Sequence, residues 1–330
     1  MTLPTAMRAL QQMSLNGPQD MRLITDAAVP RPGSGEVLVR VVAAGVNFAD
    51  ISKSRGTFRD GPTPPYLAGF EAAGEIVAVG AAVATELVGT FVVGVGEGTF
   101  AENAVFPAAG VMPVPPGWTA VEALGLLVNA VTALAVLKPV GGLAATQTVL
   151  IHAAAGATGQ VAVTVAKHYG ATVIATASPG KHEVVRASGA DHVLDSVGGD
   201  IVSEVRRLTG GVGADLVLES AGGLTFEASL AAAKRVTGRV VIYGLAGGEA
   251  SLTNWDLVYR HQVHLAGFNL GTLIQATPQI FGALMGELSA LIAAGVLTAG
   301  RPTTYELTDG PKALGELEDR ATIGKLALLP

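Results

Sequence analysis

At 330 residues the chain exceeds the usual size of one domain, so two domains are expected. It is 49% hydrophobic and 15% charged with 43 glycines, and its excess of Ala, Val and Gly over aromatics suits helices lying close on a buried parallel sheet. A net charge of −6 without a long basic run argues against a nucleic-acid footprint, and the lack of cysteine excludes disulfides, iron–sulfur clusters and thiolate-ligated structural zinc. The opening MTLPTAMRALQQM lacks the basic-then-apolar order of a secretory signal. The apolar stretch Gly125–Leu137 is about a dozen residues long before Lys138-Pro139, short of a bilayer span, and reads as a buried helix. A cytoplasmic protein is the expectation.

Residues 1 to 120 carry short β-like runs, Glu36–Val42, Glu71–Val79 and Gly89–Val95, separated by Gly and Pro clusters, which predicts a mostly antiparallel, barrel-like unit. The segment Val111–Gly117 reads as a stiff connector. Beyond residue 124 apolar strands alternate with amphipathic helices. The strands are Thr148–His152, Thr172–Thr176, His192–Leu194, Leu216–Glu219, Arg239–Tyr243 and Val263–Gly267; the helices are Gly159–Tyr169, Lys181–Ser188, Asp200–Thr209 and Thr225–Lys234. That rhythm predicts right-handed βαβ crossovers and a doubly wound parallel sheet. The tail returns to short strands, Arg301–Glu306 and Gly324–Leu328, and is expected to rejoin the first domain. The expected domains are 1–123 with 268–330, and 124–267 between them.

The sharpest signal is the turn Ala153-x-x-Gly156-x-x-Gly159, between a predicted strand and a predicted helix. A small first residue permits the tight turn, Gly156 lets a pyrophosphate approach the backbone, and Gly159 lets the helix pack on the strand. The helix N-terminus adds free N–H groups and a partial positive charge. At the end of the next strand, where NAD-selective sites place an acid, the sequence reads Thr176-Ala-Ser178-Pro-Gly-Lys181-His182, with no acid before Glu183. A hydroxyl and a nearby lysine there suit the 2′-phosphate of NADPH. The histidines are scattered, and His261-x-x-His264 does not read as a metal site. No Gly-x-Ser-x-Gly elbow or Cys nucleophile starts a hydrolase reading.

These motifs, with Ala43-Ala-Gly-Val-Asn47-Phe-Ala-Asp50, Arg55-Gly56, Gly69-Phe-Glu71-Ala-Ala-Gly74, Val131-Thr132-Ala133, Ser220-Ala-Gly222, Tyr243-Gly244 and Arg320-Ala-Thr-x-Gly324-Lys325, resemble the medium-chain dehydrogenase/reductase superfamily. The likeness is to its zinc-free quinone oxidoreductase branch, which includes zeta-crystallin and enoyl reductases. It implies an α/β protein: a Rossmann domain beside a GroES-like, partly open β-barrel catalytic domain, with the active site in the cleft between them. Where zinc relatives carry a catalytic Cys and a Gly-His-Glu, this chain has Asn47 and Gly69-Phe70-Glu71, so no zinc-type Lewis acid is expected. Glu71 then reads as structural.

By resemblance, Asn47, Thr132 and Tyr243 are the candidate catalytic residues, with Asn47 and Thr132 near the nicotinamide. Ala155, Gly156, Ala157, Thr158 and Gly159 would hold the pyrophosphate. Ser178, Lys181 and Ser196 fall at the 2′-phosphate end, and Ser220, Tyr243, Asn269 and Lys325 complete the groove. Tyrosines common in this branch are replaced by Ser52, Phe58 and Ser196, which leaves Asp50, Tyr66, Tyr243, Tyr259 or water to deliver a proton. The expected function is NADPH-dependent reduction of a small-molecule quinone or α,β-unsaturated carbonyl compound by a homodimer. The alternatives are an enoyl-thioester reductase of a polyketide or fatty-acid pathway, and a non-catalytic NADPH-binding sensor or RNA-binding protein.

Overall fold

The computed structural model describes residues 4–330. The chain divides into two compact units, Met1–Val128 with Ala299–Pro330, and Asn129–Thr298.

The first unit is built around the strand Glu36–Val46. It pairs antiparallel with Glu71–Val79, Asn103–Pro107 and Leu326–Leu329, so the C-terminal strand joins a sheet begun early in the chain. Val37, Val39, Ile76, Phe100, Phe106, Leu326 and Leu328 are almost wholly buried and share one core cluster, while Arg40, between two inward valines, faces out. That alternation is what a half-buried antiparallel sheet requires. The Val111–Gly117 connector is corrected in part: Val111–Pro113 is a strand paired with Phe91–Val95. A hairpin of Ala6–Gln12 and Met21–Ala28 was not foreseen, because its polar residues hide the period-2 pattern.

The second unit holds a six-stranded, wholly parallel sheet. Across it the strands run His192–Asp195, Thr172–Ala177, Thr148–Ile151, Leu216–Glu219, Arg239–Ile242 and His264–Gly267. Numbered along the chain this is the order 3-2-1-4-5-6 of a dinucleotide-binding fold, whose switch point lies between the 148–151 and 216–219 strands. Val149, Leu150, Ile151, Leu216, Val217 and Leu218 are fully buried, which is why these strands read as unbroken apolar runs.

The segment 268–298, expected in the barrel, groups with the sheet unit. It forms the helices Leu270–Ala276 and Pro278–Ala293, and the second buries Leu284, Leu288 and Leu291 along one stripe. That helix packs on Val131–Leu137, every residue of which is buried. The apolar run around it is also longer than expected. Ala120–Leu137 has the length and hydropathy of a membrane span, yet 67% of it is buried inside the protein, as in a core helix.

Candidate functional site

In the sheet unit the turn after Ile151 leads into the helix Ala157–His168. Ala153 takes the left-handed conformation, φ +50°, at the place where a glycine would adopt it without strain. Gly159 is required by packing: a Cβ there would stand 2.5 Å from the Ala153 carbonyl oxygen and 2.6 Å from Ala154 Cα. Gly156 differs. Its φ of −77° suits any residue, and a Cβ would meet only the Ala153 oxygen, at 3.4 Å. The fold itself does not demand glycine at 156; the space over it stays open beside a helix N-terminus that no side chain caps. Ala155, Ala157 and Thr158 surround that opening. Uncapped first-turn N–H groups over a bare backbone are what a pyrophosphate needs.

Asn129 was missed by sequence reasoning. It lies in a π-helical turn, Leu126–Ala130, of the kind often found at functional sites. Its Nδ2 donates to Thr158 Oγ1 at 3.0 Å, and its Oδ1 is buried without a partner. Thr158 thus accepts from Asn129 and keeps its own proton free to donate. Whichever way the amide is turned, one of its polar atoms is left over. Thr132, one turn along in the next helix, is buried.

Ser178 directly follows the strand Thr172–Ala177, and the Ser196 N–H donates to the Ala177 carbonyl at 3.0 Å, so both serines share one sheet end. Lys181 closes the turn after Ser178, half-buried, and burial pulls its ammonium below the usual lysine range. The nearby Asp195 is occupied locally, accepting from the Val197 N–H at 2.8 Å. Ser220 and Tyr243 directly follow the fourth and fifth strands, and desolvation pushes the Tyr243 phenol up to about 12. Asn269 is exposed and caps the helix Leu270–Ala276, its Oδ1 accepting from the Thr272 N–H at 2.9 Å.

In the barrel unit Asn47, Glu71 and Lys325 come together although 278 residues separate the first from the last. Lys325 Nζ lies 2.7 Å from Asn47 Oδ1 and 2.5 Å from Glu71 Oε2. Asn47 Nδ2 donates to the same Glu71 oxygen at 2.9 Å, and the Gly125 N–H donates to Glu71 Oε1 at 2.7 Å. Glu71 is wholly buried, and Asn47 and Lys325 are nearly so. The carboxylate is held by an ammonium and two N–H donors, the satisfied arrangement a buried charge requires. Asp50, three residues on, accepts the Asn47 backbone N–H at 2.9 Å through Oδ2, while Oδ1 has no partner. Burial pushes Asp50 up to about 7. Phe70 and Phe58 flank the Lys53 ammonium at 5.0 and 5.8 Å, a further cation the sequence did not single out. Tyr66 is raised to about 12, chiefly by burial and then by the charge of Asp50.

Residues 33–116 match the family model of the alcohol dehydrogenase GroES-like domain, and residues 157–287 that of the zinc-binding dehydrogenases. The rat synaptic vesicle membrane protein VAT-1 homolog is 30% identical over 98% of this chain and 84% of that protein. The chain belongs to the medium-chain dehydrogenase/reductase superfamily. It is an oxidoreductase fold throughout: the Escherichia coli quinone oxidoreductase, solved with NADPH, superposes with a TM-score of 0.91 at 27% identity, covering 98% of this chain and 100% of that one. The CurK enoyl reductase gives 0.90 at 27%, covering 99% of each. The zinc named in one family description does not fit the donors present. An amide and a phenyl ring stand at Asn47 and Phe70, and the carboxylate after Phe70, Glu71, is already neutralised by Lys325.

Proposed function

We propose that this protein binds NADPH on its parallel sheet and reduces a quinone or an α,β-unsaturated carbonyl compound without zinc. The observation that carries the reading is the uncapped helix N-terminus over Gly156, where the fold leaves open the space a side chain would fill. The NADPH carried by the E. coli quinone oxidoreductase supports the cofactor. NADPH supplies a hydride from nicotinamide C4, and a conjugated acceptor needs no metal to receive it.

The chain's own residues bind and orient. Ala155–Gly159 hold the pyrophosphate, and Thr158, its hydroxyl turned outward by Asn129, donates to a phosphate oxygen. Ser178, Lys181 and Ser196 take the 2′-phosphate, while Thr132, Ser220, Tyr243 and Asn269 line the groove toward the nicotinamide. Asn47, held by Glu71 and Lys325, presents a rigid polar wall. With the Tyr243 and Tyr66 phenols both raised to about 12, each is a poorer proton donor to the reduced product than an ordinary phenol. That favours a quinone, whose reduced form takes its proton readily from solvent. The likeness to CurK keeps an enoyl thioester as the second substrate reading.

The test follows loss of NADPH absorbance, and separately of NADH, with an ortho-quinone, a simple enone and a crotonyl thioester. Turnover of the quinone or enone with NADPH is expected, and tight NADPH binding without turnover of any acceptor would overturn the enzymatic reading. Lys181→Ala should weaken NADPH but not NADH, whereas Asn129→Leu should weaken both alike. Equal use of the two cofactors by the unaltered protein would sink the 2′-phosphate assignment.

A further inference from the structure

Beneath the proposed cofactor groove lies a buried polar chain that hydride transfer does not use. His152 follows the first parallel strand and is 1% exposed. Its Nδ1 stands 3.1 Å from Thr176 Oγ1 on the second strand, and its Nε2 3.0 Å from Ser229 Oγ on the helix Gly223–Ala232. Ser229 Oγ in turn hydrogen-bonds Glu219 Oε2, at the end of the fourth strand. Glu219 Oε1 accepts two backbone N–H groups, from Ala221 at 2.6 Å and Gly222 at 2.8 Å. Glu219 and Ser229 are completely buried.

The hydrogens of this chain are placed by the strength of each acceptor. Ser229 Oγ also lies 2.9 Å from the Thr225 carbonyl oxygen, but a serine hydroxyl carries one proton and a carboxylate is the stronger acceptor, so Ser229 donates to Glu219. The lone pair left on Ser229 must then be met by His152 Nε2–H. That fixes the tautomer, leaves Nδ1 as an acceptor, and obliges Thr176 to donate to it. Burial holds the imidazole below the usual histidine range, in keeping with a neutral ring. Every proton therefore points toward Glu219, and from Glu219 the chain ends on two N–H groups of the turn after Ser220. In that turn Gly222 has φ +71°, and a Cβ would stand 2.2 Å from the Gly248 carbonyl oxygen. The turn is therefore tightly confined in shape, and the carboxylate fixes its height over the sheet.

We propose that His152, Ser229 and Glu219 are positioning residues for the nicotinamide end of the cofactor groove. They lock the 220–222 turn and, through the Tyr243 N–H donated to the Glu219 carbonyl at 2.9 Å, the wall beside the nicotinamide. The chain crosses the carboxyl ends of the second, first and fourth strands, the switch point where ligands of such sheets bind. This rests on NADPH being the ligand of the sheet unit.

The test compares binding of NADPH with that of adenosine 2′-monophosphate, which carries only the 2′-phosphate end. Ser229→Ala leaves His152 Nε2 and Glu219 Oε2 unpartnered, and about tenfold weaker NADPH binding is expected, with the monophosphate unchanged. Glu219→Gln keeps shape and acceptor but lets the chain reverse, so about threefold weaker NADPH binding is expected. This second variant also serves should Ser229→Ala not fold. A general loosening of the domain would weaken both ligands in parallel and overturn the proposal, as would NADPH binding unchanged in both variants. Unaltered protein that binds no NADPH overturns the proposed function as well, whereas binding insensitive to the two variants overturns only this inference.

Discussion

The two units build their own candidate residues from different materials. In the barrel unit charged side chains do it, with Glu71 neutralised by Lys325 and Asn47 clamped between them. In the sheet unit backbone does it, through a helix N-terminus, two glycines and a turn hung from Glu219 by N–H groups. Both glutamates are completely buried, but one faces a full positive charge and the other only neutral donors. The contrast shows two ways of keeping a carboxylate inside a protein. An ion pair fails abruptly when one partner goes, whereas a carboxylate held by dipoles loses its donors one at a time.

The largest effect should come from Lys325→Met, which leaves Glu71 buried against no cation. Unfolding by urea should show a loss of about 3–5 kcal/mol, much of it restored by adding Glu71→Gln. A small loss in the single variant would show that the barrel cluster is not governed by charge. Gly159→Ala probes the backbone half: its Cβ would push into the Ala153–Ala154 turn, at a cost of about 1–3 kcal/mol and with weakened NADPH binding. Unchanged affinity would mean that the turn is not the phosphate site.

Asp50 sharpens the charged side, because it is buried near Glu71 yet has one N–H donor and an orphan oxygen. Its folded-state value of about 7 lies above the ordinary 3.8, so the folded protein binds the extra proton. The stability this contributes is complete below about pH 4 and is lost as the pH rises through about 7. Asp50→Asn should flatten that part of a stability-against-pH curve measured by thermal unfolding, and a curve with the original slope would refute the assignment. The smallest effect is expected for Ala153→Gly. It relieves the left-handed strain at φ +50° but loosens the unfolded chain, for a net gain of about 0.5–1 kcal/mol, read as a raised Tm.

Sequence alone reached far in the sheet unit. Strands buried on both faces are unbroken apolar runs, so Leu216–Glu219 could be delimited to the residue, and the small-residue turn announced the helix N-terminus. In the barrel it found Glu71–Val79 but not the N-terminal hairpin. It gave residues 268–298 to the wrong neighbour, because an amphipathic stripe such as Leu284, Leu288 and Leu291 records that a face is covered and not by what.

What the sequence by itself determined is local chemistry: no thiolate, phenyl at Phe70 and amide at Asn47 in place of metal donors, glycine at 156 and 159, lysine after Ser178. What only the tertiary structure decided is which groups answer one another. Lys325 meets Glu71 across 254 residues, Ser229 meets His152 across 77, and Asn129 meets Thr158 across 29. Residue type sets what a buried polar group must find, but chain closure sets where the partner comes from, and spacing along the sequence carries no trace of it.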